Sequence, residues 1–135
     1  MEERGRTVRR HATLALAALA AGPALAQGCD LPGAKRLEGA RLVLAYRTVP
    51  AAIPVGAHFE LEILACPKAG MAVPDAIKAD ASMPEHRHGM NYKPSIAALG
   101  GGRFRSKGWL FHMPGRWEFA FEAGGERFRD SVRIE

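Results

Sequence analysis

The chain reads as all-β: an immunoglobulin-like antiparallel β-sandwich of about seven strands, preceded by an N-terminal signal peptide. Three observations predict it. Apolar and polar residues alternate with a period of two over short segments, proline and glycine punctuate the intervals, and no convincing amphipathic helix follows residue 26. A small Greek-key barrel is the other closure open to this pattern.

The segments run in order. Over 41–48, Leu42, Leu44 and Tyr46 share one face while Val43 and Ala45 take the other. Over 58–64, Phe59, Leu61 and Ile63 point to the core, and His58 is a surface residue of that strand. A third strand covers 76–82 and a weak one 95–99. The segment 103–112 brings Phe104 and then Trp109-Leu110-Phe111, and 116–123 sets Trp117, Phe119 and Phe121 on one side, Trp117 as a core aromatic. Gly124-Gly125 supplies the positive φ angles of a tight hairpin turn, after which 127–134 sends Phe128, Val132 and Ile134 one way. Loop chemistry fills 50–56, 67–74 and 100–102. With no internal repeat and no separating linker, 27–135 is expected to form a single domain.

The first 26 residues have the three parts of a secretory signal: basic Arg4, Arg6, Arg9 and Arg10, an alanine-rich apolar stretch from Ala12 to Ala21, and small residues at Ala24-Leu25-Ala26. Cleavage is expected after Ala26, leaving a periplasmic or otherwise exported protein with no transmembrane segment. His11-Ala12-Thr13 lacks the bulky apolar residue expected after the arginine pair of a twin-arginine signal. Gln27 is a poor residue two positions before a lipidated cysteine, so ordinary secretion is favoured over a lipoprotein anchored through Cys29.

The remaining 109 residues carry 15 basic and 12 acidic side chains, a net charge of +3. The basic residues Arg103, Arg105, Lys107, Arg116, Arg127, Arg129 and Arg133 mostly alternate with apolar ones, as on the wet face of a strand, and no nucleic-acid motif accompanies them. Two cysteines, Cys29 and Cys66, form an even count in an exported chain and are expected to pair, in preference to a metal-bound Cys66.

Chemistry concentrates in Met83-Pro84-Glu85-His86-Arg87-His88-Gly89-Met90, with His112-Met113 downstream. Thioether sulfur selects Cu(I) and imidazole suits copper in either oxidation state, so copper is the expected cofactor, Cu(I) favoured and Cu(II) second. In an extended chain His86, His88 and Met90 point the same way and make a three-ligand edge. Gly89 is the expected turning point, and Asn91-Tyr92 are placed to orient a histidine. His112 and Met113 precede the Pro114-Gly115 turn, where a sandwich gathers its loops at one pole. Met83 and Met113 read equally well as ligands or as core filler, because methionine adapts to either. Thioether binds without shedding a proton, whereas imidazole must be neutral.

The blocks from Ala79 to Met90 and from Gly108 to Glu118 resemble the YtkA-like family, relatives of FixH-type oxidase accessory proteins. The resemblance implies an extracytoplasmic immunoglobulin-like sandwich associated with copper handling or oxidase assembly. FixH-type members carry a membrane anchor where this chain has a cleavable signal.

The expected function is that of an exported copper carrier, chaperone or buffer using His86, His88 and Met90 with Met83, His112 and Met113. Its partner is a periplasmic or membrane protein that receives copper. The alternative is a metal-independent interaction module docking on a membrane or periplasmic complex. No enzyme is expected: the chain has no Gly-x-Ser-x-Gly elbow, phosphate loop or paired catalytic carboxylates.

Overall fold

The structure, a computed structural model, describes residues 29–135. The signal segment and its cleavage point lie outside the described residues. Among the described residues nine strands form: β1 (Lys35–Glu38), β2 (Leu42–Val49), β3 (His58–Pro67), β4 (Ile77–Met83), β5 (His88–Gly89), β6 (Ser95–Gly100), β7 (Arg103–Leu110), β8 (Gly115–Ala123) and β9 (Glu126–Ile134). The seven expected strands are all present, and β1 and the two-residue β5 are additions. No helix among the described residues is long and apolar enough to cross a membrane.

Every strand pairing is antiparallel, in a sheet ordered β1-β2-β3-β7-β6 and a second ordered β5-β4-β8-β9. The two sheets face each other as a sandwich. Leu42, Leu44, Tyr46, Phe59, Leu61 and Ile63 from the first sheet meet Ala81, Met83, Trp117, Phe119 and Phe121 from the second. The chain changes sheet three times, between β3 and β4, β5 and β6, and β7 and β8. The last two crossings and the β4–β5 turn flank the candidate site.

Strand β2 is apolar on both sides because it has two partners. Val43 and Ala45 point away from the sandwich core and pack with Cys29 and Leu64 in a second, smaller cluster under the N-terminal segment. A disulfide from Cys29 to Cys66 fastens that segment to the strand end. Closing a loop across 37 positions contributes about 4 kcal/mol on the loop-entropy account.

A β-bulge resolves how Phe104 and Trp109, five positions apart, share one face. Phe59 pairs with Trp109 but Leu61 with Ser106, so Lys107 and Gly108 together oppose Glu60. Gly108 takes φ +87°, a left-handed conformation that glycine adopts without steric cost. The extra residue reverses the alternation and turns Trp109 and Phe111 inward, where both are fully buried. At the other end of β8, Gly124 and Gly125, with φ of +58° and +76°, make the expected β8–β9 turn.

Ser106 is a buried polar residue that is fully used. It donates to the Ser95 carbonyl at 2.8 Å and accepts from Trp109 Nε1 at 2.8 Å, tying edge strand β6 to the core. Outside the first sheet Arg47, Glu62, Arg105, Glu60 and Lys107 alternate in sign across neighbouring strands. Such exposed pairs each contribute only about 0–1 kcal/mol. Between the sheets at their open edge, Asp130 accepts from Lys35 and from the Tyr46 hydroxyl. Burial opposes the charge on Asp130, yet these hydrogen bonds prevail and hold its carboxyl below the usual carboxylate range. Burial and the same contact push the Tyr46 hydroxyl well above its ordinary value.

Ser106→Ala leaves Trp109 Nε1 buried without an acceptor and should cost about 1–3 kcal/mol in urea unfolding. Asp130 has a folded-state value below that of the unfolded chain, about 3.9. Its contribution is therefore present at neutral pH and lost as pH falls through the folded value. Asp130→Asn should lower Tm at neutral pH, and its deficit against the wild type should shrink when both are melted at about pH 3.

Candidate metal centre

Met83, Pro84, Glu85 and His86 form a β-turn in which the His86 amide donates to the Met83 carbonyl at 3.1 Å. Proline suits the second position of such a turn because its fixed φ is already correct and it has no N–H to satisfy. The Arg87 amide continues the turn by donating to the Pro84 carbonyl at 3.3 Å, and Arg87 itself takes φ +54°. The chain then pairs back on β4, His88 opposite Met83 and Gly89 opposite Ser82.

This hairpin changes the expected three-ligand edge. The turning residue is Arg87, and Gly89 lies in β5, so His88 and Met90 stay at alternate positions while His86 rides on the turn. Residues directly opposite in an antiparallel pair share a face. His88 therefore stands on the inner side of the second sheet, as Met83 does, but at the rim, where it is half-buried.

The β7–β8 crossing supplies the other half. His112 and Met113 sit between Phe111, which is fully buried, and Gly115, which opens β8. Trp117 donates its Nε1 hydrogen to the Met113 carbonyl at 3.0 Å and stacks on Phe111 with ring centres 4.2 Å apart and planes within 3°. Trp117 is a core aromatic, as expected, and this bond also holds the crossing against the hairpin. Its ring meets both imidazoles in T-shaped contacts, His112 at 5.5 Å and His88 at 6.0 Å between centres.

The crossing and the hairpin thus bring three histidines into a row. His88 and His112 have ring centres 5.1 Å apart, and His86 and His88 5.7 Å apart. With a metal–nitrogen bond of about 2.0 Å, two imidazoles on one ion have ring centres roughly 5 to 6.3 Å apart. Both pairs fall in that range. Among the described residues, however, no three His, Cys, Asp or Glu side chains converge as a ligand group.

Two nitrogens have their roles set by their surroundings. His88 Nδ1 lies 3.1 Å from the Gly89 carbonyl, which can only accept, so Nδ1 carries the proton and Nε2 keeps the lone pair. His112 Nδ1 is buried with no hydrogen-bond partner. A buried polar atom left in that state costs about 1–3 kcal/mol, and a ligand on it would remove the cost.

The sulfur residues divide. Met90 and Met113 are partly buried on the margin of the core, at the same pole as the histidines. Met83 is 1% exposed and belongs to the core, its methyl end lying where a Cβ on Gly115 would stand. Glu85 is engaged by Arg116 at 3.0 Å, and that contact holds its carboxyl below the ordinary range. Tyr92 packs against His58 with ring centres 5.8 Å apart and planes tilted by 58°, rather than orienting a clustered histidine.

The left-handed Arg87 is the hinge of this geometry. A left-handed backbone costs a non-glycine residue about 1–2 kcal/mol, and branching at Cβ makes it worse. Arg87→Val should lower stability by about 1–2 kcal/mol in chemical denaturation, whereas Arg87→Asn, which tolerates this conformation, should not. No family model, curated protein or solved structure matches the chain.

Proposed function

We propose that this is an exported copper-binding protein of the YtkA-like type, a carrier or buffer that holds Cu(I) at the pole where the β4–β5 hairpin meets the β7–β8 crossing. The observation that carries the reading is the His88–His112 pair: two imidazoles 5.1 Å apart, one with its lone pair directed by a carbonyl, the other with a buried nitrogen that has no partner. His88 Nε2 and His112 Nδ1 are the nitrogen donors, and Met90 and Met113 are the thioethers within the same margin.

A mixed imidazole and thioether set is soft enough to prefer Cu(I) and offers little to magnesium or calcium, which need oxygen. Nearby Glu85 does not alter that preference, because its carboxylate is paired with Arg116. Met83 is left out of the ligand set because its thioether packs within the core. The Phe111–Trp117 stack beneath the site keeps water from one side of it, which favours a cation of low charge over a strongly hydrated divalent one.

The position of the site is compatible with delivery to a copper-receiving periplasmic or membrane protein. It lies at one pole and is reached through the exposed turn rather than enclosed in the core. Export, the partner's place and the oxidase connection rest on the basic and apolar leader and on the resemblance of the two sequence blocks.

Anaerobic competition titration with a chromogenic Cu(I) chelator tests the reading. The wild type should bind one Cu(I), and His88→Ala and His112→Ala should each weaken it by at least about tenfold. Binding left unchanged in both variants, or a wild type that takes up no copper and shows no rise in Tm with it, would overturn the assignment.

A further inference from the structure

The three histidines differ in depth as well as in position. His86 is exposed on the turn, His88 is half-buried at the rim, and His112 keeps its Nδ1 out of contact with water. Each outer ring lies at a centre separation from His88, 5.7 and 5.1 Å, that two imidazoles sharing one ion can have. The three do not converge on a common point. His88 has a single nitrogen to offer, because Nδ1 is spent on the Gly89 carbonyl. An ion on His88 Nε2 therefore has two alternative second imidazoles, one facing solvent and one facing the core.

We infer that His86 is the transfer ligand of the site. Resting on the copper reading above, this makes His86–His88 the port and His88–His112 the store. In loading, Cu(I) arrives on His86 and His88. A bond to His112 Nδ1 then forms as the bond to His86 breaks, while His88 stays bound throughout. In release the order reverses: the bond to His86 re-forms as the bond to His112 breaks, and the incoming donor, an imidazole, thioether or thiolate of the recipient, replaces His86 and then His88. Copper remains Cu(I) in every step, so no electron and no oxidant is involved, and only ligand bonds exchange.

The hairpin suits this role. His86 sits between Glu85, which is tied to Arg116, and the left-handed Arg87, so its backbone is held in place while its ring is open to an approaching partner. The two neighbouring rings are tilted to His88 by similar angles, 38° and 36° between planes.

The port and the store separate in experiment because one governs rate and the other affinity. His86→Ala and wild-type protein are loaded anaerobically with one equivalent of Cu(I). Affinity is read by competition with bicinchoninate, and transfer to the same chelator is followed by stopped-flow absorbance. His86→Ala should hold Cu(I) with affinity within about threefold of wild type, while transfer slows by about tenfold or more, equivalent to about 1.4 kcal/mol of barrier. His86→Met, which restores a soft exposed donor, should recover most of the rate.

Equal transfer rates for wild type and His86→Ala would overturn the inference while leaving the copper site intact. A His86→Ala affinity as low as that of His88→Ala would also overturn it, by making His86 a resting ligand. Absence of Cu(I) binding by the wild type would instead remove the reading beneath it.

Discussion

The stack of Trp117 on Phe111 is the contact on which both halves of this molecule depend. Phe111 ends the first sheet's contribution and Trp117 lies in the second, so their parallel rings close the sandwich at one pole. Phe59, Trp109 and Phe119 extend the same block, with Phe59 edge-on to Phe111 at 5.0 Å. Aromatic side chains bring both large buried area and defined mutual geometry, and removing one from a core costs about 3–5 kcal/mol. Here that geometry has a further consequence. Because the Trp117 indole also bonds the Met113 carbonyl, the block that stabilises the core positions His112.

The site is thus built on the rim of a rigid core. Strand pairing sets Met83 opposite His88 and buries the first while leaving the second at the surface. Methionine and histidine are interchangeable neither in burial nor in chemistry, and the hairpin separates them by depth. Gly115 serves the same division: its φ of +129° starts β8, and its missing side chain leaves room for the end of Met83. His112 is backed by aromatic carbon, and His86 faces solvent.

Charge plays a supporting part elsewhere. The alternating pairs on the outer face of the first sheet are exposed and individually weak. The contacts made by Glu126 are of another kind, since its carboxylate accepts from the backbone amides of Ala40, Arg41 and Leu42 and fastens the β1–β2 turn to the start of β9. Burial opposes the charge on Glu126, and those amides hold its carboxyl below the ordinary range. Together with Asp130 between Lys35 and Tyr46, it joins the two sheets along the side where β1 meets β9.

Side-chain alternation by itself determined the fold class and most inward faces. Leu42, Leu44 and Tyr46, then Phe59, Leu61 and Ile63, then Trp117, Phe119 and Phe121 are legible because a strand sends successive side chains to opposite sides whatever surrounds it. The cysteine pair and the Gly124-Gly125 turn are legible for equally local reasons, redox context and backbone freedom. Tertiary structure decided the rest. Gly108 became a bulge only because β7 had to turn Trp109 and Phe111 inward against β3 and β8. The turn fell at 84–87, taking His86 out of the extended edge, because Pro84 begins it and pairing with β4 resumes at His88. The meeting of His88 with His112, 24 positions away, rests on chain crossings between sheets and on one aromatic stack, which no local pattern encodes.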